Sequence, residues 1–124
     1  LAEDNNLNME IARFQLEQEE IEVFTASNGK EAVEMFEASQ PGFYDIILMD
    51  IMMPVMDGLE ATRRIRSMNR GDAMTIPIVA MSANAFQEDV EKSLAAGLNA
   101  HLTKPLDGKK VTETMKKYLG NKMR

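Results

Sequence analysis

The chain contains no cysteine, no tryptophan and only one histidine among its 124 residues. Without cysteine no disulfide can form, and nothing in the composition argues for an oxidising compartment. The lone His101 has no second histidine or cysteine with which to build a zinc site. There is also no run of eighteen apolar residues and no signal peptide. We therefore expect a cytoplasmic protein and no membrane contact by this domain.

Basic residues are fewer than acidic residues: 14 Lys and Arg against 20 Asp and Glu give the chain a net charge of -6. This balance argues against direct nucleic acid binding. The length fits a single domain, residues 1–124, that can bury its own core. Eleven methionines are present. Because methionine is a flexible gap-filler, we expect Met35, Met81 and Met115 in the core rather than in a metal or redox site.

Residues 45–58 combine an apolar strand with a carboxylate at its end. The apolar residues 46–49 are typical of a strand covered on both faces. Asp50 follows them, Pro54 prevents continuation, and Asp57 is suited to cap the next helix. In open parallel sheets, functional sites lie at the carboxyl ends of the strands. Taken alone, Asp50 has roughly even chances of being such a site or of merely capping a turn.

Three other predicted strands are also followed by side chains that carry a charge or a hydroxyl group. Glu3 and Asp4 follow the apolar start of the chain, Ser82 follows an apolar stretch from residue 76, and Lys104 follows residues 99–103. If these strands are parallel neighbours, their final side chains meet in one cleft. Carboxylates that lie so close need a compensating cation, and a hard divalent ion such as Mg2+ suits oxygen ligands. Lys104 would balance an incoming anion.

Strands and helices alternate along the chain, with short connections and no repeats. This alternation is typical of a doubly wound α/β fold. We expect a five-stranded parallel sheet in the order 2-1-3-4-5, with residues 21–25 as the second strand, helices on both faces and right-handed crossovers.

Five helices are predicted around this sheet. The first runs from about residue 5 to residue 17, and the second begins at a capping box formed by Asn28 and Glu31. Three arginines of the third helix are expected on a solvated face: Arg63, Arg64 and Arg66. The apolar positions predicted for the five helices are Leu7, Ile11 and Phe14; Ala32, Val33 and Phe36; Leu59, Thr62 and Ile65; Phe86, Val90 and Leu94; and Val111, Met115 and Leu119.

Taken together, four motifs resemble the receiver domain of two-component response regulators over nearly the whole chain. They fall in the order and spacing of that family: residues 3–5, 49–58, 81–85 and 102–105. The variants Met52-Met53-Pro54 and Ser82-Ala83-Asn84-Ala85 most resemble receivers fused to hybrid histidine kinases. The resemblance implies a flavodoxin-like fold with Mg2+, or Mn2+, as the cofactor.

The resemblance also implies a role for each site residue. Asp50 would be the phosphoacceptor. The metal would be held by Asp50, by Asp4 directly, by Glu3 largely through water, and by the main-chain carbonyl of Met52. Ser82 would hydrogen-bond the phosphoryl group, Lys104 would pair with it, and the peptide bond from Lys104 to Pro105 would be cis. His101 stands where receivers usually have Tyr or Phe, which marks it as a switch residue.

The implied function is that of a signalling domain rather than an enzyme. The chain would accept a phosphoryl group from a phosphohistidine of a histidine kinase or histidine phosphotransfer protein, and assist its own phosphorylation and dephosphorylation. The surface of the fourth helix, fifth strand and fifth helix would then change, and a weak homodimer is expected through it. One alternative is a constitutive protein-binding pseudo-receiver. An aspartyl-nucleophile phosphatase is disfavoured, because it would normally have a second acid at position 52.

The predicted first strand departs from the family pattern, because only Leu1 and Ala2 precede Glu3. In the order 2-1-3-4-5 this strand is central, and a short one leaves neighbouring backbone groups unpaired at a cost of ~1 to 3 kcal/mol for each buried group. We therefore expect the first strand to be clipped, with further residues before Leu1.

Overall fold

The computed structural model describes residues 1–82, 87–104 and 106–120, with residues 87–90 described by their backbone alone. Helices and strands follow one another in this order: α1 (Asn6–Gln18), α2 (Gly29–Ala38), β1 (Ile47–Asp50), α3 (Gly58–Arg66), β2 (Ile78–Ser82), α4 (Gln87–Ala96), β3 (Ala100–Thr103) and α5 (Gly108–Leu119). Within the described ranges, no helix has both the length and the apolar character needed to cross a membrane.

The sheet is parallel, and its strands lie in the order β1-β2-β3. Two isolated parallel bridges join Ala2 to Ala26 on one side and to Met49 on the other. The start of the chain therefore lies between residue 26 and β1, as the predicted order requires. In the described residues, however, three strands form rather than the five predicted. The beginning of the chain joins the sheet through the two bridges of Ala2, and residues 21–25 form no strand.

The core has two layers, one on each face of the sheet. Successive residues of β1 point to opposite faces: Met49 packs with α2 and α3, and Leu48 packs with α1 and α5. Because both faces are covered, residues 47–49 of β1 and residues 78–81 of β2 are all apolar and buried. Met81 and Met115 are buried and Met35 packs against the core, which confirms their predicted core role.

The capping box predicted for α2 is present in part. The Asn28 side chain accepts a hydrogen bond of 2.8 Å from the Glu31 backbone N–H. The Glu31 carboxylate accepts in return from the N–H of Ser27, one residue before the expected partner. Asp57 caps α3 by accepting from the Glu60 N–H, as predicted.

The apolar face predicted for α1 is wrong. Leu7, Ile11 and Phe14 are 70%, 44% and 64% exposed, whereas Ala12 and Leu16 are buried. The helix carries two apolar stripes, and the one with the small Ala12 packs inward beside Leu16. On α4, Leu94 is also exposed rather than buried. The other residues predicted for that face, Phe86 and the Val90 side chain, lie outside the described residues.

The expectation for the three arginines of α3 is confirmed for two of them. Arg63 and Arg64 are exposed and pair with Glu60. Arg66 instead donates hydrogen bonds to the carbonyls of Gly97 and Ala73. Carbonyls at the end of a helix lack partners within it, and Arg66 satisfies them where α4 ends.

The loop after α3 is held against the end of α2 by Arg70 and Asp72. Arg70 donates to the Phe36 carbonyl at 2.6 Å, and its guanidinium lies 4.2 Å from the centre of the Phe36 ring. Asp72 accepts from Arg70 Nε at 2.6 Å and from the Gly42 N–H at 2.9 Å. The hydrogen bond from Arg70 lowers the pKa of the Asp72 carboxyl.

We predict that Asp72→Asn lowers the free energy of unfolding by about 1 kcal/mol near neutral pH, since a charge-assisted hydrogen bond is lost. A carboxyl with a lowered folded pKa stabilises the fold above its unfolded pKa of about 3.9, and this contribution disappears as the pH falls through the folded pKa. Urea unfolding at several pH values should therefore show the gap between wild type and variant closing below about pH 4. The exposed Glu37→Gln is the matched control, and an equal gap for both variants would contradict the prediction.

Candidate functional site

Four charged side chains meet at the carboxyl edge of the sheet. Asp50 is the last residue of β1, Lys104 directly follows β3, and Glu3 and Asp4 follow the bridge at the start of the chain. Parallel strands bring their carboxyl ends to one edge, and so these residues converge although they are far apart in sequence. Ser82, the last residue of β2, is buried at the same edge.

The Lys104 ammonium lies between two buried carboxylates. Its Nζ atom is 2.8 Å from Glu3 Oε1 and 2.9 Å from Asp50 Oδ2. Glu3 and Asp50 are each only 3% exposed. Further hydrogen bonds to the carboxylates come from the backbone N–H groups of Asn5 and Met52, each at 3.3 Å.

Burial and a neighbouring group of like charge both change the pKa of Glu3. Burial raises the pKa of Glu3, and the neighbouring Asp50 carboxyl raises it further, against the opposing effect of Lys104. Burial alone would lower the pKa of Lys104, but its hydrogen bonds to Glu3 and Asp50 outweigh this and raise it. The lysine is therefore held in its charged form, and the site carries more negative than positive charge.

The carboxylates also fit a divalent cation. Oxygen atoms of Glu3, Asp4 and Asp50 lie within 4.8 Å of one another, with Asp4 exposed and the other two buried. All three donors are carboxylate oxygens, which hard cations such as Mg2+ prefer. An exposed ligand beside two buried ones leaves the cluster accessible from solvent.

Glycine shapes the loop that follows Asp50. A Cβ atom on Gly58 would lie 2.2 Å from the Asp50 carbonyl oxygen, and one on Gly29 would lie 2.3 Å from the Met56 carbonyl oxygen. Val55, in the loop between Asp50 and Gly58, has a positive φ of 68°, which is strained for a β-branched residue. Sequence reasoning missed Gly29, because a glycine at the start of a helix carries no signal of what packs against it.

A family model described as the response regulator receiver domain matches residues 1–116. The chain belongs to this family. Hybrid signal transduction histidine kinase I of Dictyostelium discoideum is 37% identical over 93% of the chain, which spans 7% of that protein.

Solved receiver structures are also similar. The receiver domain of the sensor histidine kinase PA1611 from Pseudomonas aeruginosa PAO1 is 35% identical, with a TM-score of 0.85 and coverage of 97% of this chain and 94% of that one; its structure has a magnesium ion coordinated in the active site cleft. A co-crystal of the Saccharomyces cerevisiae phosphotransfer protein Ypd1 with the Ssk1 receiver domain gives 30% identity and a TM-score of 0.82, and covers 94% of this chain and 84% of that chain. The parallel, doubly wound receiver fold is thereby confirmed.

Two further residues expected in the receiver site, Ser82 and His101, lie on β2 and β3. The Ser82 carbonyl accepts from the Lys104 N–H at 2.8 Å. His101 lies on β3, three residues before Lys104, and its Nε2 atom is 2.9 Å from Ser93 Oγ on α4. The ring thus connects β3 to α4. Pro105 and residues 83–86 lie outside the described residues, so the cis peptide stays a prediction.

We predict that Gly58→Ala lowers the free energy of unfolding of this receiver by about 1 to 3 kcal/mol, since the added methyl group collides with the Asp50 carbonyl. Gly71→Ala is the matched control, because a methyl group added at Gly71 would meet nothing within 4 Å. Urea unfolding of both variants measures the effect. Equal stability of the two variants would show that the close approach at Gly58 is wrong.

Proposed function

We propose that this receiver domain is a working phosphoacceptor, in which Asp50 takes a phosphoryl group from a phosphohistidine of a histidine kinase or histidine phosphotransfer protein. One observation carries the proposal. The Asp50 carboxylate lies at the strand end within 2.9 Å of a charged lysine and beside two further carboxylates that suit a cation. A pseudo-receiver, which only binds other proteins, would not require this arrangement of charged groups.

The chemistry requires positioning and charge neutralisation. A carboxylate oxygen of Asp50 forms a bond to phosphorus while the bond from phosphorus to the histidine nitrogen breaks, and the electron pair returns to the imidazole. Lys104 neutralises charge on the phosphoryl oxygens, and Ser82 hydrogen-bonds one of them. Mg2+ held by Asp4, Asp50, the Met52 carbonyl and, through water, Glu3 would supply further neutralisation of those oxygens.

The exposed apolar residues next to the site suit a partner protein. Leu7, Ile11 and Phe14 lie on α1, which begins two residues after Asp4. Met52 is exposed in the loop after Asp50. At 1.5 Å rise per residue, the α1 stripe from Leu7 to Phe14 is about 10 Å long, which suits the apolar face of a partner helix. Such a contact would suit a phosphodonor protein similar to Ypd1, which was crystallised with a related receiver domain.

The phosphorylated state would change the output surface, formed by α4, β3 and α5. The acyl phosphate adds roughly -1.5 to -2 of charge, and its contacts with Ser82 and Lys104 favour one packing of the loops over another. His101 lies on this surface and is tied to α4 through Ser93. A population shift between two packings is the physical form of the switch.

We predict that acetyl phosphate with Mg2+ adds one phosphoryl group to the wild-type chain, as measured by intact mass. Asp50→Asn should abolish the addition, since the attacking oxygen is lost. Asp57→Asn is the control, because Asp57 only caps α3 and the variant should react as the wild type does. Undiminished reaction of the Asp50 variant would overturn the assignment, and an unreactive wild type would favour the pseudo-receiver.

We also predict that Mg2+ affinity depends more on Asp4 than on Glu3. Asp4→Asn removes a direct ligand and should weaken binding at least tenfold, whereas Glu3→Gln removes a water-mediated contact and should cost less. Calorimetric titration measures both constants, with circular dichroism confirming that each variant is folded. Equal loss of affinity in the two variants would contradict the division of roles.

A further inference from the structure

Lys104 is the first residue of the connection between β3 and α5, residues 104–107. Hydrogen bonds fix this connection at its two ends. The Lys104 N–H donates to the Ser82 carbonyl at 2.8 Å, and Asp107 caps α5 by accepting from the Lys109 N–H at 2.9 Å. Where the Lys104 ammonium lies therefore depends on what holds the connection between these two ends.

Gln15, on α1, contacts this connection although it lies 91 residues away in sequence. Its Nε2 atom donates to the Leu106 carbonyl at 3.1 Å. Among the groups that the structure describes, no other donor reaches that carbonyl. The Leu106 side chain packs against the core layer of α1 and α5. The connection is thus held against α1 by one hydrogen bond and one apolar contact, two residues after Lys104.

The other atom of the same amide group has no partner. The Gln15 Oε1 atom is buried and, within the described ranges of the chain, accepts no hydrogen bond. Because the Leu106 carbonyl can only accept, the amide must face it with its nitrogen, which leaves the oxygen on the unpartnered side. A buried polar atom without a partner lowers folding stability, and an apolar side chain of the same length would avoid this loss. What glutamine adds at this position is the bond to the connection.

We propose that Gln15 is a positioning residue: through the Leu106 carbonyl it fixes the connection after β3 and so holds the Lys104 ammonium between Glu3 and Asp50. The two contacts of the ammonium are 2.8 and 2.9 Å long, and a shift of about 1 Å would take them beyond hydrogen-bonding distance. The effect of Gln15 on phosphoryl transfer rests on the proposed function. Because α1 also carries the exposed apolar stripe, the helix suited to contact the phosphodonor is the one that positions the lysine.

A second side-chain hydrogen bond joins α1 to α5 and provides a matched control. Thr112 Oγ1 donates to Glu19 Oε1 at 2.8 Å. Each partner lies about one turn further along its helix than the contact between Gln15 and Leu106. This bond connects helix to helix rather than helix to the connection that carries Lys104. Thr112→Val therefore loosens the contact between α1 and α5 without removing the bond proposed to position the lysine.

The first test measures hydrogen exchange at the Lys104 backbone amide in the wild type, Gln15→Met and Thr112→Val. Exchange should be about tenfold faster in Gln15→Met, because the connection opens more often, and unchanged in Thr112→Val. The urea midpoint of Gln15→Met should stay close to that of the wild type, since a buried unpartnered oxygen is removed together with the hydrogen bond. Equal exchange in Gln15→Met and the wild type, or equal acceleration in both variants, would overturn the proposal.

The second test measures the rate of phosphorylation by acetyl phosphate with Mg2+. Gln15→Met should slow the reaction about tenfold, because a displaced lysine no longer meets the phosphoryl oxygens. In a chain that carries Lys104→Ala, the same change should cause no further slowing, since the group that Gln15 positions is absent. Equal slowing with and without Lys104 would show a merely structural role and overturn the proposal. If the wild type takes up no phosphoryl group, the proposed function fails by itself, and the exchange measurement still decides this inference.

Discussion

The ammonium group of Lys104, held between Glu3 and Asp50, is the interaction on which the carboxyl edge depends. Each buried carboxylate loses hydration that costs several kcal/mol, and a charge of opposite sign at hydrogen-bonding distance, helped by backbone N–H groups, offsets that loss. Three distant segments must therefore arrive together. The hydrogen bond from the Lys104 N–H to the Ser82 carbonyl aligns β3 with β2 and fixes where the lysine begins.

The same arrangement leaves the site short of positive charge. One lysine faces three carboxylates whose oxygens lie within 4.8 Å of one another, and the raised pKa of Glu3 reflects that imbalance beside its burial. A site of this kind gains from any further cation and from any rearrangement that separates the carboxylates. The clustering of carboxylates thus lowers folding stability, as is common at functional sites.

The sequence predicted the residues whose position follows from chain direction alone. Asp50 ends β1 and Lys104 directly follows β3, and parallel strands bring these two positions to the same edge of the sheet. It could not predict the rotation of α1, because two apolar stripes compete there and only packing chose Ala12 and Leu16. The position of Arg66 was predicted wrongly for a related reason: the Gly97 carbonyl to which it donates lies in a turn 31 residues away in sequence.

The start of the chain links the two ends of the sheet. Ala2 has hydrogen bonds on its N–H and its carbonyl, to Leu48 and Asp50, and these bonds hold Glu3 beside Lys104. Local stability rises with the number of ladder bonds that must open together. The position of Glu3, and with it the charge balance around Asp50, therefore depends on how firmly residues before the site are paired.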